Sequence, residues 1–159
     1  MEEGAVEPGT VQVHWSVESP AQPASLPDGR LGEVVAAALA HGKYGHLSLG
    51  LVFVSDETLT SMHSQYLSDA TPTDVITFDL GEEDPGLNGE LYISVDCAQR
   101  LAAERRVSFE RELALYVVHG TLHLCGFDDH DPNERAEMRK AEAVVMGELG
   151  FEIDSMPHE

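Results

Sequence analysis

The feature that most constrains this chain is a twelve-residue run, His119-Gly120-Thr121-Leu122-His123-Leu124-Cys125-Gly126-Phe127-Asp128-Asp129-His130. Two histidines four apart on an α-helix differ by about 40° around its axis, so both imidazoles leave from one face. Ser108 offers this helix an N-cap, Glu110 and Glu112 place acids in its first turn, and Gly126 supplies a stop. Beyond the stop the chain turns back, with acid and imidazole groups in reach of the same point. Donors converging from a helix and the turn after it are how a protein builds a three-ligand metal site with an open position. The flanking Tyr116, Val117, Leu122 and Leu124 predict a largely buried helix, in which two polar rings need partners that a metal would provide. Zinc, one ion per chain, is the expected occupant, with manganese or nickel as alternatives. Cys125 lies about 200° around the helix from His123 and is poorly placed to join.

Gly120 excludes the obvious alternative. A zincin protease reads H-E-x-x-H, the glutamate serving as general base, and glycine at that position has no base to offer. Gly120 instead permits either a close approach to the helix backbone or tight packing.

At 159 residues and 42% hydrophobic, the chain is expected to form one globular domain. It contains no apolar run long enough to span a membrane. Met1-Glu2-Glu3-Gly4 lacks the basic and apolar parts of a signal peptide, giving a cytoplasmic expectation. Two cysteines, Cys97 and Cys125, then read as buried small hydrophobes.

Residues 1–9 are expected to be a flexible acidic terminus, 10–151 a single catalytic domain and 152–159 a flexible tail. Strands are predicted over Thr10–Val17, Leu47–Val54, Thr73–Asp79 and Gly89–Ser94, with an acidic loop over Gly81–Gly86. Helices are predicted over Arg30–Ala40, after Ser55, over Val95–Arg105 behind Ser94, after Ser108, and from Pro132 behind Asp131 to a stop at Gly150. Met138, Ala141, Val145 and Leu149 form the apolar face of the last.

A net charge of −20 argues against a general nucleic-acid binder. Its distribution is uneven, however. Seven of the nine basic residues (Arg100, Arg105, Arg106, Arg111, Arg135, Arg139 and Lys140) fall within 100–140 beside eight acids, whereas the rest carries two basic residues against 21 acids. That stretch is either a set of solvated helix faces with internal pairs or a local cationic rim beside the metal.

His119 through Asp128, together with Thr73-Asp74-Val75-Ile76-Thr77-Phe78, resembles the YbeY family of metal-dependent bacterial endoribonucleases. The resemblance spans about residues 10–150. It implies an α/β fold of the α+β type: a single domain whose mixed four-stranded sheet is packed with about five helices, the metal site lying in the C-terminal helical half. It also implies a single-strand-specific endoribonuclease acting in small-subunit ribosomal RNA 3′-end maturation and ribosome quality control. The partners implied are ribosomal RNA, the small ribosomal subunit or its proteins, and a GTPase. Two other readings stay open: a metal-dependent hydrolase of another small substrate, and a non-catalytic ribosome-assembly factor with a structural metal.

Two departures from the family pattern matter. The family reads H-G-x-L-H-L-x-G-[YF]-D-H, with a third histidine six residues after the second. Here that position is Asp129, and the histidine follows at His130. The ungapped register also aligns Met138, which favours Asp129 as third ligand beside His119 and His123, with His130 as the alternative and Asp128 as a catalytic or supporting acid. The second departure is Leu67, where many members carry an arginine suited to phosphate. Arg100, Arg105, Arg106 or Arg111 would have to substitute. Thr73 and Asp74 are further candidates for substrate binding.

Overall fold

The computed structural model describes residues 2–6, 11–17, 28–44, 46–67, 75–83, 86–128 and 131–151. Along Leu47–Val54, alternate side chains are buried, with Leu47, Leu49, Leu51 and Phe53 on one face. Gly86–Ser94 repeats the pattern with Leu87, Leu91 and Ile93, and the two strands pair in parallel, Leu49 opposite Gly89 and Leu51 opposite Leu91. This is the period-two signature of a sheet that buries one face against helices.

Five strands make up the sheet: β1 (Glu2–Val6), β2 (Val11–Val17), β3 (Leu47–Val54), β4 (Val75–Glu83) and β5 (Gly86–Ser94), in the order β1-β2-β3-β5-β4. The β2–β3 and β3–β5 pairs are parallel, and the two edge strands β1 and β4 are antiparallel to their neighbours, so the sheet is mixed. The four expected strands are present as β2 to β5. The fifth, β1, forms within the stretch expected to be flexible, where Glu2 pairs with Val17 and Val6 with Val13. Its acidic, small-residue sequence carries no apolar alternation; the backbone ladder to β2 is what makes it a strand. The expected acidic loop is also shorter than composition suggested. β4 continues through Gly81 to Glu83 across a bulge between Asp79 and Glu82, with Gly81 at φ +90° and its N–H donating to Asp79 Oδ1 at 2.8 Å.

The described residues also form five helices: α1 (Asp28–His41), α2 (Asp56–Leu67), α3 (Val95–Arg105), α4 (Phe109–Leu124) and α5 (Pro132–Glu148). Their starts follow local chemistry. Ser94 Oγ accepts from Cys97 N at 3.0 Å, Ser108 Oγ from Arg111 N at 3.0 Å, and Asp131 Oδ1 from Glu134 N at 2.8 Å. The Glu134 backbone N–H also holds the Asp131 carboxyl below its ordinary pKa, so the cap stays ionised. The stop of α4 is a Schellman turn: Gly126 at φ +104°, its N–H donating to His123 O, and Phe127 N donating to Leu122 O, both at 3.0 Å.

The main core lies between the sheet and the layer of α1, α3, α4 and α5. A smaller cluster of Val54, Leu59 and Ile76, bordered by Met62, Phe78 and Tyr92, sits under α2 on the opposite face. At the far side, Arg30 near the start of α1 donates to the Leu149 carbonyl at the end of α5 at 2.6 Å and stacks over Phe151 at 4.6 Å. Among the described residues no helix is long and apolar enough to cross a membrane.

Two complementary contacts seat α4 on β5. A methyl at Gly120 would lie 2.6 Å from Leu91 Cδ2, and one at Gly89 would lie 2.6 Å from Leu124 Cδ1. Each element thus offers a glycine to the other's leucine. Gly120→Ala should overpack against the fully buried Leu91 at a cost of about 1–3 kcal/mol, offset by at most about 1 kcal/mol of helix propensity. Leu91→Ala alone should cost about 2–5 kcal/mol through the cavity it leaves. In urea denaturation the double variant should cost clearly less than the sum, because the new methyl enters that cavity; strict additivity would show that the two positions do not share space.

Candidate active site

From Arg111 to Leu124 every residue of α4 is buried except two, His119 and His123. Helical geometry explains this. Taking His119 as the origin, Gly120 and Leu124 lie about 100° and 140° around the axis, facing β5. Cys125 lies near 240°, facing α1, where a methyl on Gly42 would come within 2.5 Å of Cys125 Cβ. His123 lies about 40° from His119, so both rings occupy the remaining direction and reach the lip of the core. Gly120 therefore serves tight packing against Leu91, which settles the alternative left open by the sequence.

The two imidazole centroids are 4.7 Å apart, with ring planes at 79°. Close, nearly perpendicular rings on one face can direct a nitrogen each toward a common point. His119 Nδ1 lies 2.5 Å from Glu142 Oε2, a carboxylate that reaches across from α5. Glu142 was not singled out from the sequence, although a signal existed: it falls four residues after Met138 and three before Val145, on the apolar stripe of α5. An acid on such a stripe is buried, and a buried carboxylate requires a partner.

The structure brings together His119 and His123 from the expected set and adds Glu142. Asp128 is half-buried just past the Schellman turn. Asp129, His130, Thr73 and Asp74 lie outside the described residues. Among the described residues no group of three or more His, Cys, Asp or Glu forms a metal cage. The donors that are described suit zinc: two adjacent imidazoles at the edge of a buried helix, a type this ion favours. Cys125 does not join them, because it points away from the histidine face toward Gly42 at the end of α1; burial there pushes its thiol up to about 11.

The expected cationic rim has a different character. Arg111 and Arg105 both donate to Glu112, at 3.1 and 3.3 Å, and the Glu112 and Arg111 side chains are 0% and 5% exposed. Arg105 thereby ties α3 to α4, while Arg111 pairs with its neighbour Glu112 inside α4. Seven residues of helix, about 10 Å of rise, separate Glu112 from His119. Arg100 donates to Asp56 Oδ2 at 2.9 Å while its side chain remains 52% exposed. Asp56 in turn accepts from Ser94 Oγ at 2.5 Å, tying α2 to the start of α3. Of the three arginines, Arg100 alone keeps a largely solvent-facing guanidinium.

The sequence and its fold match known proteins. The model of the endoribonuclease YbeY family matches residues 26–150. The chain is 39% identical over 125 residues to the endoribonuclease YbeY of Rhodopirellula baltica, covering 77% of this chain and 64% of that protein. It is 37% identical over 129 residues to that of Pelotomaculum thermopropionicum, covering 77% and 84%. Over 148 residues it is 30% identical to that of Chlorobium phaeovibrioides, covering 92% and 95%. The solution structure of TM1509 from Thermotoga maritima superposes with a TM-score of 0.55 at 26% identity, covering 88% of this chain and 91% of that one. With the match spanning both the sheet and the histidine helix, the chain belongs to the endoribonuclease YbeY family.

Proposed function

We propose that this protein is a zinc-dependent, single-strand-specific endoribonuclease acting in maturation of the 3′ end of small-subunit ribosomal RNA and in ribosome quality control. The observation that carries the reading is the pair His119 and His123, the two incompletely buried side chains of an otherwise buried helix face, in a chain of this family. His119 and His123 would hold the ion together with Asp129 or His130. Bound there, zinc would supply Lewis-acid stabilisation of charge developing on the scissile phosphate.

The chain's own residues supply position. The leucine–glycine contacts hold α4 against β5, so the two imidazoles are presented from a rigid element rather than from a loop. Asp128 follows the same turn, between the histidine helix and the capped start of α5. Of Arg100, Arg105 and Arg111, Arg100 is the one exposed enough to touch an RNA backbone, beside the exposed Arg106, and Arg105 and Arg111 act in the fold. A pair of partly exposed imidazoles at the edge of the core suits single-stranded or looped RNA, whose backbone is accessible. A chain of net charge −20 also needs a basic partner to approach RNA, a role fitting a ribosomal protein or a GTPase of the small subunit.

Purified protein should cleave single-stranded RNA, lose that activity on chelation and regain it with zinc, and lose it in His123→Ala. Cleavage by that variant at the wild-type rate would sink the reading. The arginines separate by readout. Arg111→Ala should lower unfolding stability by about 3 kcal/mol, because it strips a buried carboxylate of a partner. Arg100→Ala should change stability by less than about 1 kcal/mol while raising the KM for RNA. Comparable KM effects from both, with no stability loss at Arg111, would contradict the division.

A further inference from the structure

We propose that Glu142 is a positioning residue for the metal centre: its carboxylate grips Nδ1 of His119 so that Nε2 becomes the nitrogen presented to the ion. The proposal rests on the reading of His119 as a ligand and deepens it.

Three observations lead there. First, Glu142 occupies the buried stripe of α5 with Met138, Ala141, Val145 and Met146, and is itself 4% exposed. A leucine would fill that place without the desolvation penalty of a carboxylate. A charge retained in such a position needs a reason beyond packing. Second, its carboxylate oxygen meets His119 Nδ1, on the helix that carries both histidines and 23 residues away in sequence. A carboxylate accepts, so the ring's proton is held at Nδ1 and the lone pair falls to Nε2. Metal-binding histidines are commonly organised in this way, since an acceptor at one nitrogen fixes tautomer and ring angle and makes the other more basic. Third, α5 is tied to α1 at its end, where Arg30 donates to the Leu149 carbonyl, and its start is fixed locally by the Asp131 cap. The orienting carboxylate is therefore carried on a fixed element, as ligand geometry demands.

A plain helix-to-helix tie between α4 and α5 would use the same contact, and the test separates the two. In the metal-free protein, nitrogen NMR of the histidine rings above their titration range should show His119 protonated at Nδ1. In Glu142→Ala that ring should shift toward the Nε2-protonated form that a solvated histidine side chain prefers. Zinc affinity, read by competition with a chelator, should fall about 10–100-fold in Glu142→Ala. In Glu142→Gln, which keeps an acceptor but loses the charge and preserves the shape, it should fall by less. Unchanged zinc affinity in both variants, with only thermal stability altered, would overturn the positioning role. Wild-type protein that takes up no zinc would instead remove the ligand reading of His119 and His123, a different and distinguishable failure.

Discussion

The seating of α4 on β5 is the contact on which the rest depends. Gly120 receives Leu91 and Gly89 receives Leu124, two knob-and-hole pairs spaced one helical turn apart on α4 and two residues apart on β5. Because the two pairs are reciprocal and lie at two points along both elements, they fix the rotation of the helix as well as its distance from the sheet. Rotation decides what happens to the histidines. With Gly120 and Leu124 aimed at the sheet and Cys125 at α1, His119 and His123 are left the direction that opens at the edge of the core. A helix turned by about 100°, one residue's rotation, would bury both rings against the sheet. The glycine that lacks the base of a protease is thus the residue that makes the histidine face possible.

The two fully or nearly fully buried glutamates are the second organising theme. Glu112 and Glu142 both sit on helix faces that are otherwise apolar, and both are compensated, the first by Arg105 and Arg111 and the second by His119. A buried carboxylate and its partner contribute little net stability, because desolvation offsets most of the attraction. What they do provide is specificity of place: a carboxylate in a dry interface must meet its partner, so it rejects helix registers that apolar packing alone would tolerate. Glu112 does this for α3 against α4, and Glu142 for α5 against α4. Together they pin the histidine helix from two sides, while β5 and α1 pin it from the others.

How much of this was legible follows from the range of each interaction. Helix starts at Ser94, Ser108 and Asp131, the stop at Gly126 and the alternation of β3 were readable because each depends on residues within one turn or one strand. β1 was not, since its existence lies in backbone bonds to β2 and its side chains carry no pattern. The continuation of β4 past Gly81 was hidden for a related reason: acids and a glycine look like a loop, although a bulge turns them into strand. Tertiary pairing was the least accessible. Arg105 and Arg111 resembled a substrate-facing rim because a sequence shows charge without showing its partner, and Glu112 turns them inward. Glu142 was the converse, an acid whose place on an apolar stripe already marked it as buried, but whose partner 23 residues earlier only the packing of α5 on α4 reveals.

The electrostatics then narrow how an acidic chain can engage RNA. Arg105 and Arg111 are engaged by Glu112, and Arg100 is shared with Asp56, so these three add little free positive charge to set against a net charge of −20. At physiological salt, repulsion between the protein and phosphates is screened over about 8 Å. Approach is therefore opposed only in the last few water layers, and the opposition must be overcome at contact. On the proposed reading, the histidine edge is where that happens, because a divalent ion held there places concentrated positive charge against a phosphate at a distance where screening no longer weakens it. Binding and bond cleavage would then depend on the same ion, and the long-range approach would fall to a basic partner. That division places a strict demand on ligand geometry, since a displaced ion costs recognition and chemistry together. It is the demand that a buried carboxylate locking one imidazole is suited to meet.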